Sequence, residues 1–156
     1  MKTLCSEQVI PSGHVISSLP PSFSIGTGAQ VHQVPTAQDN LCWLIEYTPG
    51  SVAVVDGPDA ESVLAFCRLH DLSITHILNT HTHGDHVGIN RDLLARGYTE
   101  LEIWGSALCA DQIPGLTREL HEGDQLKLGL LRGEVWLTEG HLDGHISFIF
   151  DGALFC

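Results

Sequence analysis

The sequence predicts an α+β fold in which a β-sheet is covered by helices on one side, and three features of its pattern carry that expectation. Short β-rich runs follow one another from about residue 29 with only turns between them; a strand, helix, strand, helix order comes next; and the last third returns to short strands. The chain has 156 residues, 43% of them apolar and 17% charged, which is the balance of one ordinary globular domain able to bury a core.

Residues 1–28 include SSLPPSFSIGTG, rich in Ser, Pro and Gly and without helical or strand period, and are expected to form a mobile arm ahead of a domain spanning 29–156. AQVHQV, NLCWLIEY and SVAVVDG then read as three consecutive antiparallel strands, with PTAQD and TPG as the turns between them. In DAESVLAFCRLH, Ala60, Val63, Leu64 and Cys67 fall at i, i+3, i+4 and i+7, one apolar helical face, with Asp59 as the expected N-cap. ITHILN is a strand; a helix ends in LLARG with Gly97 as its stop; LEIW is a further strand. After a short helix near SALCADQ, the runs QLKLG, GEVWLTE, HISFIF and ALFC are strands joined by tight turns such as Asp151-Gly152.

Charge narrows the function. Seven Lys and Arg against 19 Asp and Glu give −12 with His neutral, and a field of that sign repels phosphate backbones and anionic lipid surfaces, so neither nucleic acid nor a membrane is expected as partner. Five scattered cysteines without CxxC pairs point to reduced thiols and a cytoplasmic location.

The unusual count is ten histidines. THTHGDH places His81, His83, Asp85 and His86 within six positions directly after a strand. In extended backbone alternate side chains face the same way, so His81, His83 and Asp85 can converge, while Gly84 allows the bend that brings His86 round. Imidazoles with a carboxylate suit zinc, and also iron, manganese or cobalt. TEGHLDGH follows a second strand, and its His141 would complete the three-histidine shell of a catalytic zinc site. His145 is read as hydrogen-bonding to that shell or packing beside it. His14, His32, His70, His76 and His121 read as surface or satisfied core residues. Asp56, ending SVAVVD, is either a turn residue or a partner for one of the histidines.

THTHGDH resembles the HxHxDH signature of the metallo-β-lactamase superfamily, and TEGHLDGHISF resembles its later histidine motif. With NTHTHGDHVGIN, LHEGDQLKLG and HISFIFDGALFC, the chain is similar to the N-terminal portion of the glyoxalase II branch, the hydroxyacylglutathione hydrolases, from about Gln30 onward. The resemblance implies an αββα sandwich, here truncated to roughly its first sheet and covering helices, because the bridging aspartate, last histidine and glutathione-holding residues of the family have no counterpart in this sequence. It implies that His81, His83 and His141 bind a first metal and Asp85 and His86 a second: one or two zinc ions, with iron or manganese also suited. The implied reaction is hydrolysis of a glutathione thioester, S-lactoylglutathione giving glutathione and lactate, by a water whose pKa the metal lowers to about 7, with Asp85 orienting the nucleophile. Two other readings follow from the same motifs: an iron-dependent persulfide dioxygenase of the superfamily, and an inactive metal-binding fragment. The expected missing second sheet also predicts an open apolar face including Phe148, and self-association through it and the edge near ALFC.

Overall fold

A computed structural model describes residues 22–156 except Thr27, Gln38 and Asp39. Strands β1 (Ser22–Ile25), β2 (Ala29–Thr36), β3 (Asn40–Thr48) and β4 (Ser51–Val55) are followed by α1 (Glu61–Leu69), β5 (Ser73–Leu78), α2 (Gly84–Ala95) and β6 (Glu102–Ser106). A short 3-10 helix (Ala107–Gln112) leads to β7 (Arg118–Leu120), β8 (Gln125–Leu128), β9 (Leu131–Leu137), β10 (Ile146–Phe150) and β11 (Ala153–Phe155).

The strands form two sheets. One has seven strands in sequence order, β1 to β7, antiparallel as far as β4 and parallel from β4 to β7. The other has four antiparallel strands in the order β11-β10-β9-β8. Alternation along β4 shows how they are layered. Val52 and Val54 join a core with Val63, Leu64 and Cys67 of α1 and Ile89 and Leu93 of α2, whereas Ala53 and Val55 join a second core with Val135, Phe148 and Phe150 of the four-stranded sheet. Both faces of β4 are therefore covered, which is why its run is apolar throughout rather than alternating.

The helices do lie on one side of the first sheet, and the fold is an α+β sandwich as expected. The second layer differs from expectation: four strands of a second sheet are present, and Phe148, expected on an open face, is completely buried between the sheets. The strands of that layer are each legible, but the face they share depends on pairings across the whole last third of the chain. Ser22–Ile25, the end of the segment expected to be a mobile arm, pairs with β2 as β1. The rest of that arm, with Val15 and Ile16, lies outside the described residues.

Local chemistry explains the boundaries. Asp59 accepts from the Glu61 amide at 2.9 Å, but the N-cap is Ala60, whose own amide donates to Asp92 Oδ2 of α2 at 2.9 Å, so the first turn of α1 is held partly by another helix rather than by Asp59 alone. Gly97, at φ +90, ends α2 in the left-handed conformation that favours glycine. Asp151 and Gly152 both have positive φ, the signature of a two-residue hairpin turn, and Phe150 pairs with Ala153 across it. A Cβ on Gly88 would overlap the Pro58 carbonyl, so glycine lets α2 pack directly on the turn after β4. Among the described residues no helix is long and apolar enough to cross a membrane.

Candidate metal centre

Three segments meet at one end of the sandwich. The backbone leaving β5 carries Asn79, Thr80 and His81; His83 is the N-cap residue of α2, with extended φ/ψ of −61° and 150°; and His141 lies on the loop between β9 and β10 of the second sheet. The Ile146 amide, at the start of β10 where that loop ends, donates to Thr80 O at 2.9 Å and ties the second sheet to the histidine segment.

His81 Nε2 lies 3.2 Å from His83 Nδ1, and His141 Nε2 lies 3.2 Å from the same His83 nitrogen. All three ligand atoms fall within 4.8 Å of one another. Two nitrogens bound tetrahedrally to zinc at about 2.05 Å stand about 3.3 Å apart, a separation that the two pairs sharing His83 Nδ1 match, while His81 and His141 would draw closer around a shared ion. His81 is buried, His83 and His141 exposed, which makes the first the floor of the site and the other two its rim.

The tautomer of His81 follows from its neighbours. Thr80 Oγ1 donates its only hydrogen to Asp56 Oδ2 at 2.7 Å, a carboxylate that can only accept. The same oxygen stands 2.9 Å from His81 Nδ1 and must therefore accept from it. That assignment leaves the lone pair of neutral His81 on Nε2, facing His83. Asp56 Oδ1 also accepts from the Thr80 amide at 2.9 Å, and Asp56 itself sits at φ +54, a left-handed conformation that aspartate tolerates better than most residues. Of the two readings of Asp56, the structure combines them: it is a turn residue whose carboxylate organises the histidine segment.

Asp85 and His86 occupy the first turn of α2, with Asp85 Oδ2 3.7 Å from His86 Nε2 and 3.4 Å from Asn40 Nδ2, which donates to it. They do not join the three-histidine group, although the His86 ring lies 3.8 Å from that of His81, centroid to centroid, the two planes tilted by 46°. His86 Nδ1 is 3.0 Å from Asp56 Oδ2, yet it is buried and its geometry falls short of a hydrogen bond, so the contact is one of charge. His145 is buried, with Nδ1 2.9 Å from Thr138 Oγ1, which in turn meets Ser147 Oγ at 2.7 Å; it packs beside the cluster, its ring 4.9 Å from that of His81.

Burial, followed by the neighbouring His86, pushes the pKa of His81 down to about 4. Burial also opposes the charged form of His86, but Asp56 and then Asp85 outweigh it and raise its pKa. Burial alone would raise the Asp85 carboxyl; hydrogen bonding and His86 bring it below its usual value, so it is ionised at neutral pH. For the metal-free chain this sets a pH dependence. His81 folded binds fewer protons than His81 unfolded between its ordinary 6.5 and about 4, so stability is complete above that window and falls as pH drops through it, with a slope from this residue approaching about 1.4 kcal/mol per pH unit. Urea titrations of the chelator-treated protein at pH 7, 6, 5 and 4 should show this decline and His81→Gln should flatten it; equal declines in both would contradict the assignment to His81.

Thr80, Asn79 and Thr138 also belong to the site; their one signal in the sequence is that they are polar residues directly following an apolar strand.

From residue 35 to residue 156 the chain matches the family model of the metallo-beta-lactamase superfamily. Hydroxyacylglutathione hydrolase of Synechococcus sp. is 43% identical, over 79% of this chain and 51% of its own length, and that of Rhodospirillum rubrum is 41% identical, over 81% and 50%. The chain thus spans about half the length of these curated relatives. Among solved structures, ETHE1 from Myxococcus xanthus superposes with a TM-score of 0.62 at 26% identity, over 77% of this chain and 53% of its own. The class B3 di-zinc metallo-beta-lactamase LRA-12 from an Alaskan soil metagenome gives 0.65 at 21% identity over 85% and 58%, a likeness of fold. A seven-stranded mixed sheet packed on a second sheet, paired histidine motifs on two loops at one end, and a family match over most of the chain lead to one conclusion: this protein belongs to the metallo-β-lactamase superfamily.

Proposed function

We propose that this chain is the metal-binding portion of a thioester hydrolase of the hydroxyacylglutathione type, with one zinc ion held by His81, His83 and His141 and a weaker second position at Asp85 and His86. The observation that carries the reading is the spacing of three ring nitrogens from two separate sheets around one point, 3.2 Å apart in two pairs. Similarity to the hydroxyacylglutathione hydrolases supports the substrate class, a small glutathione thioester.

When bound, the ion supplies Lewis-acid activation of water and of the thioester carbonyl. The chain's own residues do the rest. The Asp56–Thr80–His81 series keeps the His81 lone pair pointed at the site without a protonation change near neutral pH. His83 and His141 are exposed at the rim, so solvent and an approaching acyl group would reach the residues that would hold the ion. Asp85, ionised and held by Asn40, accepts a hydrogen bond from the attacking water and orients it. The departing thiolate needs no general acid, because its conjugate acid has a pKa near about 8.5. Free thiols at the described cysteines Cys42, Cys67, Cys109 and Cys156 agree with a cytoplasmic setting.

Zinc-loaded protein incubated with S-lactoylglutathione should release thiol slowly, well under a typical enzyme's turnover of about 10 per second, because Asp85 and His86 alone hold a second ion poorly. No release above the chelator-treated chain would sink the hydrolase reading. Oxygen uptake by the iron-loaded chain with glutathione persulfide would replace it with the dioxygenase reading.

A further inference from the structure

Beneath the histidines lies a polar pair that no step above uses. Asn79 and Asn90 are both completely buried, and their side chains bond to each other reciprocally: Asn79 Nδ2 donates to Asn90 Oδ1 at 3.2 Å, and Asn90 Nδ2 donates to Asn79 Oδ1 at 2.7 Å. Each amide also reaches a main-chain carbonyl. Asn79 Nδ2 donates to His86 O at 3.3 Å and Asn90 Nδ2 to Pro114 O at 3.2 Å.

Two buried amides are a costly way to fill space, because each loses its water and must be repaid in hydrogen bonds, whereas a pair of leucines would fill a similar volume without that penalty. What the amides add is a single permitted geometry. Asn79 belongs to the backbone leaving β5, two residues before His81. Asn90 belongs to α2, the helix whose N-cap is His83. The other main-chain bonds that seat the start of α2, Gly57 N to His86 O at 2.9 Å and Ile89 N to Gly57 O at 2.8 Å, fasten it to the turn after β4. The amide pair fastens it instead to the end of β5, the element that carries His81, and, through Pro114, to the segment following the 3-10 helix.

We infer that the Asn79–Asn90 pair is a positioning clasp that sets the distance between the His81 and His83 ring nitrogens, and so the affinity and geometry of the three-histidine site. This rests on the metal reading given above. The two ligands are only two residues apart in sequence, but they are held by different elements, one by a strand end and one by a helix; a small rotation of α2 against β5 would move His83 Nδ1 away from both His81 Nε2 and His141 Nε2. Asn79 and Asn90 are the side chains that resist that rotation from the β5 side.

The test is a Co2+ titration of the chelator-treated chain, followed by visible absorption, for the wild type and for N79L/N90L, with thermal melting of both metal-free proteins alongside. The double substitution removes both amides together and leaves neither unpaired against the other; His86 O keeps the Gly57 amide as donor and only Pro114 O loses the side-chain donor described, so the metal-free melt should stay within about 4 °C of the wild type while Co2+ binds about 10- to 100-fold more weakly, with an altered absorption envelope. Wild-type affinity and spectrum in a folded N79L/N90L overturns the clasp and leaves the metal reading standing. Failure of the wild type itself to bind Co2+ overturns both. Should N79L/N90L not fold, N90A serves, since it removes the two bonds that Asn90 donates without adding a charge near the histidines: weaker Co2+ binding supports the clasp, unchanged binding overturns it.

Discussion

A His83→Ala chain should bind Co2+ or Zn2+ at least about 100-fold more weakly than the wild type, the largest loss expected from any single substitution at the site. His83 Nδ1 is the nitrogen that stands 3.2 Å from each of the other two, so its removal leaves His81 and His141 without their common neighbour. Removing a group that merely orients a ligand typically costs about 10- to 100-fold in affinity, so losing a ligand outright should cost at least the upper end of that range. The substitution is also clean structurally: His83 is exposed and makes no side-chain capping bond to α2, so the helix should persist. Equilibrium dialysis against zinc, with His121→Ala as an exposed control, measures it. Affinity within tenfold of the wild type would remove His83 from the ligand set.

The largest effect on stability is expected at Phe148. It is completely buried in the core between the sheets, in β10, paired to Val135 of β9 and Phe155 of β11. Phe148→Ala should cost about 3–5 kcal/mol, which lowers the melting temperature by roughly 10 °C at this chain length. Leu154→Ala on the exposed side of the neighbouring strand, 57% accessible, should cost under about 1 kcal/mol. Denaturant titrations of the two variants compare them directly. Similar losses at both positions would mean that the second sheet does not close over the first as described.

Phe148 also marks the limit of what the sequence discloses. HISFIF is plainly a strand, and Asp151-Gly152 plainly a turn, because both signals are local. Which surface Phe148 covers is decided by residues more than 90 positions away, in β4, and no period in the run carries that. The same contrast holds elsewhere. Helix α1 is legible from its i, i+3, i+4, i+7 face, but its first turn borrows a carboxylate from Asp92 of another helix, which no local cap rule would supply. Strands β1 and β7, four and three residues long, exist through pairing with a neighbour rather than through their own composition. At the site, the histidines announce themselves by spacing. Asn79, Thr80 and Asn90 do not, since a single Asn or Thr is an ordinary residue until the fold surrounds it with partners.

The attachment of His141 to one sheet and of His81 and His83 to the other has a kinetic consequence. The contact between His141 and His83 closes a separation of 58 residues, so the three nitrogens come together only after the late strands have docked. An ion at that point is a pin through both sheets, and it is absent from any earlier state of the folding chain. Free metal at 100 times its dissociation constant would add about 2.7 kcal/mol to the native state. Because docking precedes the pin, that increment should appear almost wholly as slower unfolding, with the refolding rate unchanged. The metal would then act as a lock on the assembled sandwich: rapid chelation would shorten the lifetime of the folded chain without altering the route by which it forms.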